Sequence, residues 1–270
     1  MHNNPSKICG KKTLEVLCVS DLHLGQEGMD KLLKWNSEEN DTKFDMIFAP
    51  GDFDNLTKYT KDLSEPEYFK SEINIAEFIG QLKVFEAPIY LVPGNHDPWT
   101  MFVHGDDNVQ DIPINQVVIE KLSEKNVVAY NLHNKAMEVA DNLTIIGHGG
   151  SVPSWWDRET MTLEKYHGYP YNSDFEYRDG FQTALKHIEN HVANKKEQSL
   201  ILMTHIGPEM CGTTENYCGP NENNTGLGSK YLNNVVALYH NDIMMNIHGH
   251  SHEGDGFKRY GKLVVFNQGS

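Results

Sequence analysis

Seven short apolar segments recur along the chain, at 14–20, 45–50, 89–93, 143–147, 200–204, 243–247 and 263–266, each followed by polar or glycine-containing residues. Their length and β-branched content read as mostly buried strands. Between them, 71–85, 114–125, 174–194 and 229–240 repeat apolar residues at three-to-four spacing, which predicts helices. Strands alternating with helices imply a layered α/β core. The stretch 149–177 breaks the rhythm and gathers Trp155, Trp156, Tyr166, Tyr169, Tyr171, Phe175 and Tyr177, as expected of an aromatic excursion or cap over one sheet edge. A second irregular stretch, 207–228, is rich in Gly, Asn and Thr and is expected to be a long surface loop. With no internal repeat and no linker, we read residues 1–270 as one domain with a flexible lead-in over 1–12.

Composition narrows the classes open to this chain. Its 270 residues are 39% hydrophobic and 23% charged, an ordinary globular balance that excludes a mostly disordered protein. No apolar run approaches the roughly 20 residues of a membrane span, and the polar, lysine-bearing start lacks a leader pattern, so a cytoplasmic placement is expected. Cys9, Cys18, Cys211 and Cys218 lack C-x-x-C spacing and are read as free thiols. A formal charge of -15 argues against extended nucleic-acid or anionic-membrane partners and leaves carboxylates available to cations.

Five of the apolar segments run directly into candidate ligands. Asp21 and His23 follow the first, Gly51-Asp52 the second and Gly94-Asn95-His96-Asp97 the third. His205 follows the fifth, and His248-Gly249-His250-Ser251-His252 the sixth. Side chains leaving neighbouring strand ends can meet at one rim of a sheet. If the strand continues, Asp21 and His23 point to one side, and His250 and His252 share that relation. The set offers carboxylate, imidazole and carboxamide but no thiolate, which suits Zn, Mn or Fe. Seven donors exceed what one compact ion needs and fit two ions sharing a bridging carboxylate.

In this order, Asp21-Leu22-His23, Gly51-Asp52, Gly94-Asn95-His96-Asp97, His205 and Gly249-His250-Ser251-His252 resemble the calcineurin-like metallophosphoesterase family. The resemblance implies two β-sheets packed face to face and flanked by helices. It also implies a partition of ligands: Asp21, His23 and His252 on one metal, Asn95, His205 and His250 on the other, with Asp52 bridging. The implied chemistry is attack on phosphorus by a hydroxide bridging the metals. His96 would assist the leaving group, and Asp97 would orient His96.

Within that family, Asn55 stands where purple acid phosphatases carry a metal-binding tyrosine. Phe53-Asp54-Asn55-Leu56 replaces the run that marks protein serine/threonine phosphatases. Thr204-His205-Ile206-Gly207-Pro208 and Gly249-His250-Ser251-His252-Glu253 look like small stand-alone phosphodiesterases, so a small phosphodiester is the expected substrate. Asn95, His148 and Trp155 are candidates for substrate contact. A phosphomonoesterase or nuclease of the same fold, and a non-catalytic metal-binding scaffold, are the alternatives.

Overall fold

The computed structural model describes residues 8, 10, 13–56, 65–102, 117–153, 155–157, 162–164, 169–195, 197–216, 225–252 and 254–269. At 65–66, 155–157, 162–164, 215–216 and 225–226 it describes the backbone alone.

Four parallel strands, β1 (Val16–Cys18), β2 (Met46–Ala49), β3 (Ile89–Leu91) and β4 (Ala129–Asn131), form one sheet in that order. The second sheet contains β5 (Lys135–Ala140), β6 (Leu143–His148), β9 (Ser199–Thr204), β12 (Ile243–His248), β13 (Gly256–Tyr260) and β14 (Leu263–Asn267). Its order is β13-β14-β12-β9-β6-β5, with antiparallel β5 and β13 at the edges of four parallel strands. Two small ribbons pair β7 (Trp155–Asp157) with β8 (Thr162–Glu164) and β10 (Glu215–Asn216) with β11 (Thr225–Gly226).

Three buried apolar layers hold this together. Between the sheets lie Met46, Phe48, Tyr90, Ile145, Ile201, Met203 and Ile247. Outside the first sheet pack Met29 of α1 (Gln26–Glu38), Ile75 and Ile79 of α2 (Glu65–Ile79), and Val118 and Leu122 of α3 (Val117–Glu124). Outside the second pack Tyr177 of α4 (Asp174–Gly180), Ala184 and Ile188 of α5 (Gln182–Asn194), and Leu232 and Val236 of α6 (Lys230–Leu238). Each of the larger aliphatic side chains contributes about 1.5–3 kcal/mol of burial, so neither sheet face is stable without its cover.

All seven predicted strands lie in the two sheets. β4, β5 and β13 add to them, and the last two are edges whose exposed residues, including Lys135, Lys258 and Arg259, leave no apolar run to read. The helix predicted over 71–85 starts earlier, at Glu65, and tightens to a 3-10 turn from Gly80 to Phe85. That predicted over 174–194 is two helices broken at Phe181, where Gly180 lies against the Tyr171 ring. α1 went unpredicted because only Met29, Leu32 and Leu33 face the core. Part of the aromatic stretch is core, since Tyr171 and Tyr177 are buried with Phe181 under the second sheet. The lead-in 1–12 falls outside the described residues except for Ile8 and Gly10, whose amides donate to Val139 O (3.1 Å) and to Asp141 Oδ2 (3.2 Å). Among the described residues, no helix is long and apolar enough to cross a membrane.

Candidate metal centre

The C-terminal ends of β1, β2, β3, β9 and β12 meet at one rim, and backbone pairing carries their order into the loops beyond. Asp21 N donates to Gly51 O (3.0 Å), His23 N to Asp52 O (3.0 Å) and Leu24 N to Phe53 O (2.9 Å), laying the first two loops side by side. The side chains do not converge by strand alternation, as the sequence suggested, because β1 stops at Cys18 and β12 at His248. The loops turn instead through left-handed backbone at Asp21 (φ 52°), His23 (φ 45°), Leu24 (φ 52°), Asp52 (φ 55°) and His250 (φ 69°). Those five are the majority of the nine non-glycine residues with positive φ among the described residues. Each costs about 1–3 kcal/mol, so the strain is concentrated where the candidate ligands are presented.

Glycine permits the closest approaches. A Cβ on Gly51 would sit 2.6 Å from Gly94 N and 2.7 Å from His205 Nδ1, and one on Gly94 would overlap the Asp52 carboxylate. The Asp97 side chain then fastens these loops together. Its Oδ1 accepts from Phe53 N (2.8 Å) and Asp54 N (3.0 Å), and its Oδ2 from Gly94 N (2.7 Å) and Asp52 N (3.0 Å).

Three groups of side chains bring ligand atoms within 4.8 Å of one another: Asp21, His23 and His252; Asp52, His205 and His250; and, joining them, His23, Asp52 and His96. His252 Nε2 is 3.5 Å from Asp21 Oδ1 and 3.4 Å from His23 Nε2. His205 Nε2 is 3.3 Å from Asp52 Oδ2 and 2.9 Å from Asn95 Oδ1, which brings Asn95 to the second group. His23 Nε2 stands 3.8 Å from the same Asp52 oxygen. Asp21 also receives His250 N, at 3.0 Å and 3.1 Å to its two oxygens.

Three imidazoles are oriented by main-chain carbonyls, which can only accept. His23 Nδ1 donates to Asp54 O (3.2 Å), His205 Nδ1 to Pro50 O (2.7 Å) and His96 Nδ1 to Leu56 O (2.9 Å). Each ring therefore turns its Nε2 toward the site, as a lone pair whenever the ring is neutral. Burial opposes charge on Asp52, but the contact and charge of His205, with His96 and His23, hold its carboxyl well below the usual range. Burial pulls His205 down, yet Asp52, with help from Asp21, wins and lifts it to about 9. The hydrogen bond to Asp21 raises His252, whereas burial lowers His23. Two carboxylates and facing imidazole nitrogens, with no thiolate, are a donor set that fits divalent cations.

The remaining candidates separate by place. Asp97 accepts four backbone amides, the full acceptor capacity of a carboxylate, so its observed task is to clasp the loops rather than to orient the His96 ring. His148, a candidate for substrate contact, has no exposed surface; its ring is enclosed by Tyr171, Tyr177 and Phe181, and its Nδ1 meets Asn134 Oδ1 at 2.7 Å. Burial lowers it to about 3, as suits a neutral core imidazole. The side chain of Trp155 lies outside the described residues. His248 is also buried, donating from Nδ1 to Gly249 O (2.9 Å) and meeting Thr213 Oγ1 at Nε2 (2.8 Å). Sequence reasoning missed Ser20, which donates to Asp21 Oδ2, and Asp54, which lies between Asp97 and His23. Asp54 carried one signal, its place two residues after Asp52; the orienting carbonyls carry none.

The calcineurin-like phosphoesterase family model matches residues 14–254, and the chain belongs to that family of metal-dependent phosphoesterases. Similar solved structures include TT1561 of Thermus thermophilus, at 18% identity and TM-score 0.54, covering 96% of this chain and 90% of that one. Phosphopantetheinyl hydrolase from Mycobacterium tuberculosis matches at 14% identity and TM-score 0.57, covering 94% and 89% respectively. At these identities the likeness establishes the fold. Among curated proteins none matches the chain.

Proposed function

We propose that this chain is a dinuclear metal-dependent phosphoesterase that hydrolyses small phosphodiesters. The observation that carries the reading is the arrangement of Asp21, His23 and His252 beside Asp52, His205 and His250, joined by the approach of His23 to Asp52. Asn95 belongs with the second set through its contact with His205. Two divalent cations of the Mn, Zn or Fe type, bound there, would acidify water and draw charge from phosphate oxygens. The work of the chain is to hold that geometry and to handle the leaving group. His96 joins the bridging group with its Nδ1 committed to Leu56 O, so Nε2 is the atom that, when the ring is protonated, would donate to the departing alkoxide.

Diester preference is supported by the charges of the ligand loops. None of 19–25, 50–56, 93–97, 204–209 and 248–252 contains Lys or Arg. A doubly charged monoester would find no guanidinium clamp from those loops, and a singly charged diester needs none. The same acidity supports a partner list of small esters without extended nucleic acid. We retain the cytoplasmic placement as part of this proposal, to be checked by cell fractionation.

The test is metal analysis combined with turnover of bis-aryl phosphates, mono-aryl phosphates and cyclic nucleotides. Two bound ions with faster diester turnover is the expected result. Faster monoester turnover would replace the diester assignment, and full binding without turnover of any ester would leave a scaffold.

A further inference from the structure

The residue that fixes His23 is itself fixed from three sides. Asp54 is buried at 6% exposure, and its peptide N–H is held by Asp97 Oδ1 at 3.0 Å. Its side-chain Oδ1 accepts Asn55 N at 2.7 Å, and its Oδ2 accepts the hydroxyl of Ser71, a buried residue of α2. Its carbonyl then takes the Nδ1 proton of His23 at 3.2 Å. These contacts form a chain from a helix outside the first sheet to one imidazole of the site. Asp54 and Ser71 occur in none of the three ligand groups.

We propose that Ser71 and Asp54 are positioning residues for the Asp21–His23–His252 cation alone. The inference rests on the dinuclear reading above and deepens it. A carbonyl that shifts by a few tenths of an ångström releases the His23 ring, and a rotated ring no longer presents Nε2 beside His252 Nε2, 3.4 Å away. The second group depends less directly on this pair, because His205 is oriented by Pro50 O instead. The role calls for hydrogen-bond geometry rather than negative charge. An asparagine at position 54 can still accept from Asn55 N and, after the hydroxyl turns, donate to Ser71 Oγ.

The experiment is Mn(II) titration of the metal-depleted full chain, counting free ion by electron paramagnetic resonance, for the parent, Ser71→Ala, Asp54→Ala and Asp54→Asn. His252→Ala and His250→Ala mark which binding step belongs to which group. Loss of a partner behind a ligating histidine weakens metal affinity by about 10–100-fold. We therefore expect S71A and D54A to weaken by at least about tenfold the step that H252A removes, while the step removed by H250A stays within about twofold and D54N behaves as the parent. Melting of the metal-free proteins is followed in parallel, with S71A expected near the parent. Parent-like binding by S71A overturns the inference. So does a D54N as weak as D54A, which would make charge the operative property, or an equal loss in both steps with a lowered melting temperature. A parent without two binding steps overturns the dinuclear reading itself, whereas two steps in the parent with an unaffected S71A sinks this inference alone.

Discussion

Asp97→Asn separates the task seen in the structure from the one the sequence suggested. The change keeps shape and removes two of four acceptor positions. The amide oxygen can still accept two backbone N–H groups, while the amide NH2 is turned toward the other two, donor against donor. Each buried N–H left without an acceptor costs about 1–3 kcal/mol, so two cost about 2–6 kcal/mol. Against a typical total of about 5–15 kcal/mol this is a large fraction of stability. In a chain of this size the melting temperature should fall on the order of 10 °C. Because the released pair is either Phe53 and Asp54 or Asp52 and Gly94, the loss falls on the loops that carry Asp52 and Asn95, and cation affinity should drop with it. Calorimetry of the metal-free protein, followed by metal analysis after reconstitution, measures both. If D97N melted with the parent and bound two ions, yet turned over as slowly as a variant lacking His96, Asp97 would be acting through His96 and the clasp would be refuted.

Two further outcomes follow from the same geometry. His96→Ala should keep its metal content while kcat falls by about 10²–10⁴-fold, whereas Asp52→Asn should lose cations; equal metal loss in both, measured by mass spectrometry, would erase the distinction. For pH, His205 is raised from an ordinary value of 6.5 to about 9 by Asp52, so its ion pair stabilises the metal-free fold fully below about 6.5 and less as pH rises through about 9. A cation must displace that proton, so apparent affinity for the second group should climb by up to about tenfold per pH unit between those limits, and a flat titration would show that the proton is absent.

Much of this fold could be read from the chain because its central strands are buried on both faces and so appear as uninterrupted apolar runs. Met46-Ile47-Phe48-Ala49 and Leu200-Ile201-Leu202-Met203 are such runs. Where burial is one-sided the signal fades: Lys135 and Ala136 of β5 are exposed, and α1 offers few residues to the core. The candidate ligands were legible for a related reason. Strand ends repeatedly deliver Asp, Asn and His to one rim, and sequence order records which strand each comes from. What sequence could not record is the agent that places them. Carbonyls of Pro50, Asp54 and Leu56 orient the rings, and any residue supplies a carbonyl.

Asp97 and His148 face other partners than the sequence suggested for one shared reason, and the same kind of contact explains how the strained loops persist. Asp97 adjoins His96 in sequence and His148 follows a strand, but neither adjacency specifies direction. Asp97 turns toward four amides, and His148 turns into an aromatic box where a neutral ring is cheapest to bury. Left-handed backbone at Asp21, His23, Asp52 and His250 would relax if the loops stood alone. They are over-determined by pairing between Asp21 and Gly51, by the Asp97 clasp and by the Asp21 carboxylate receiving His250 N. The loops are therefore held by the protein's own hydrogen bonds as well as by whatever their side chains bind.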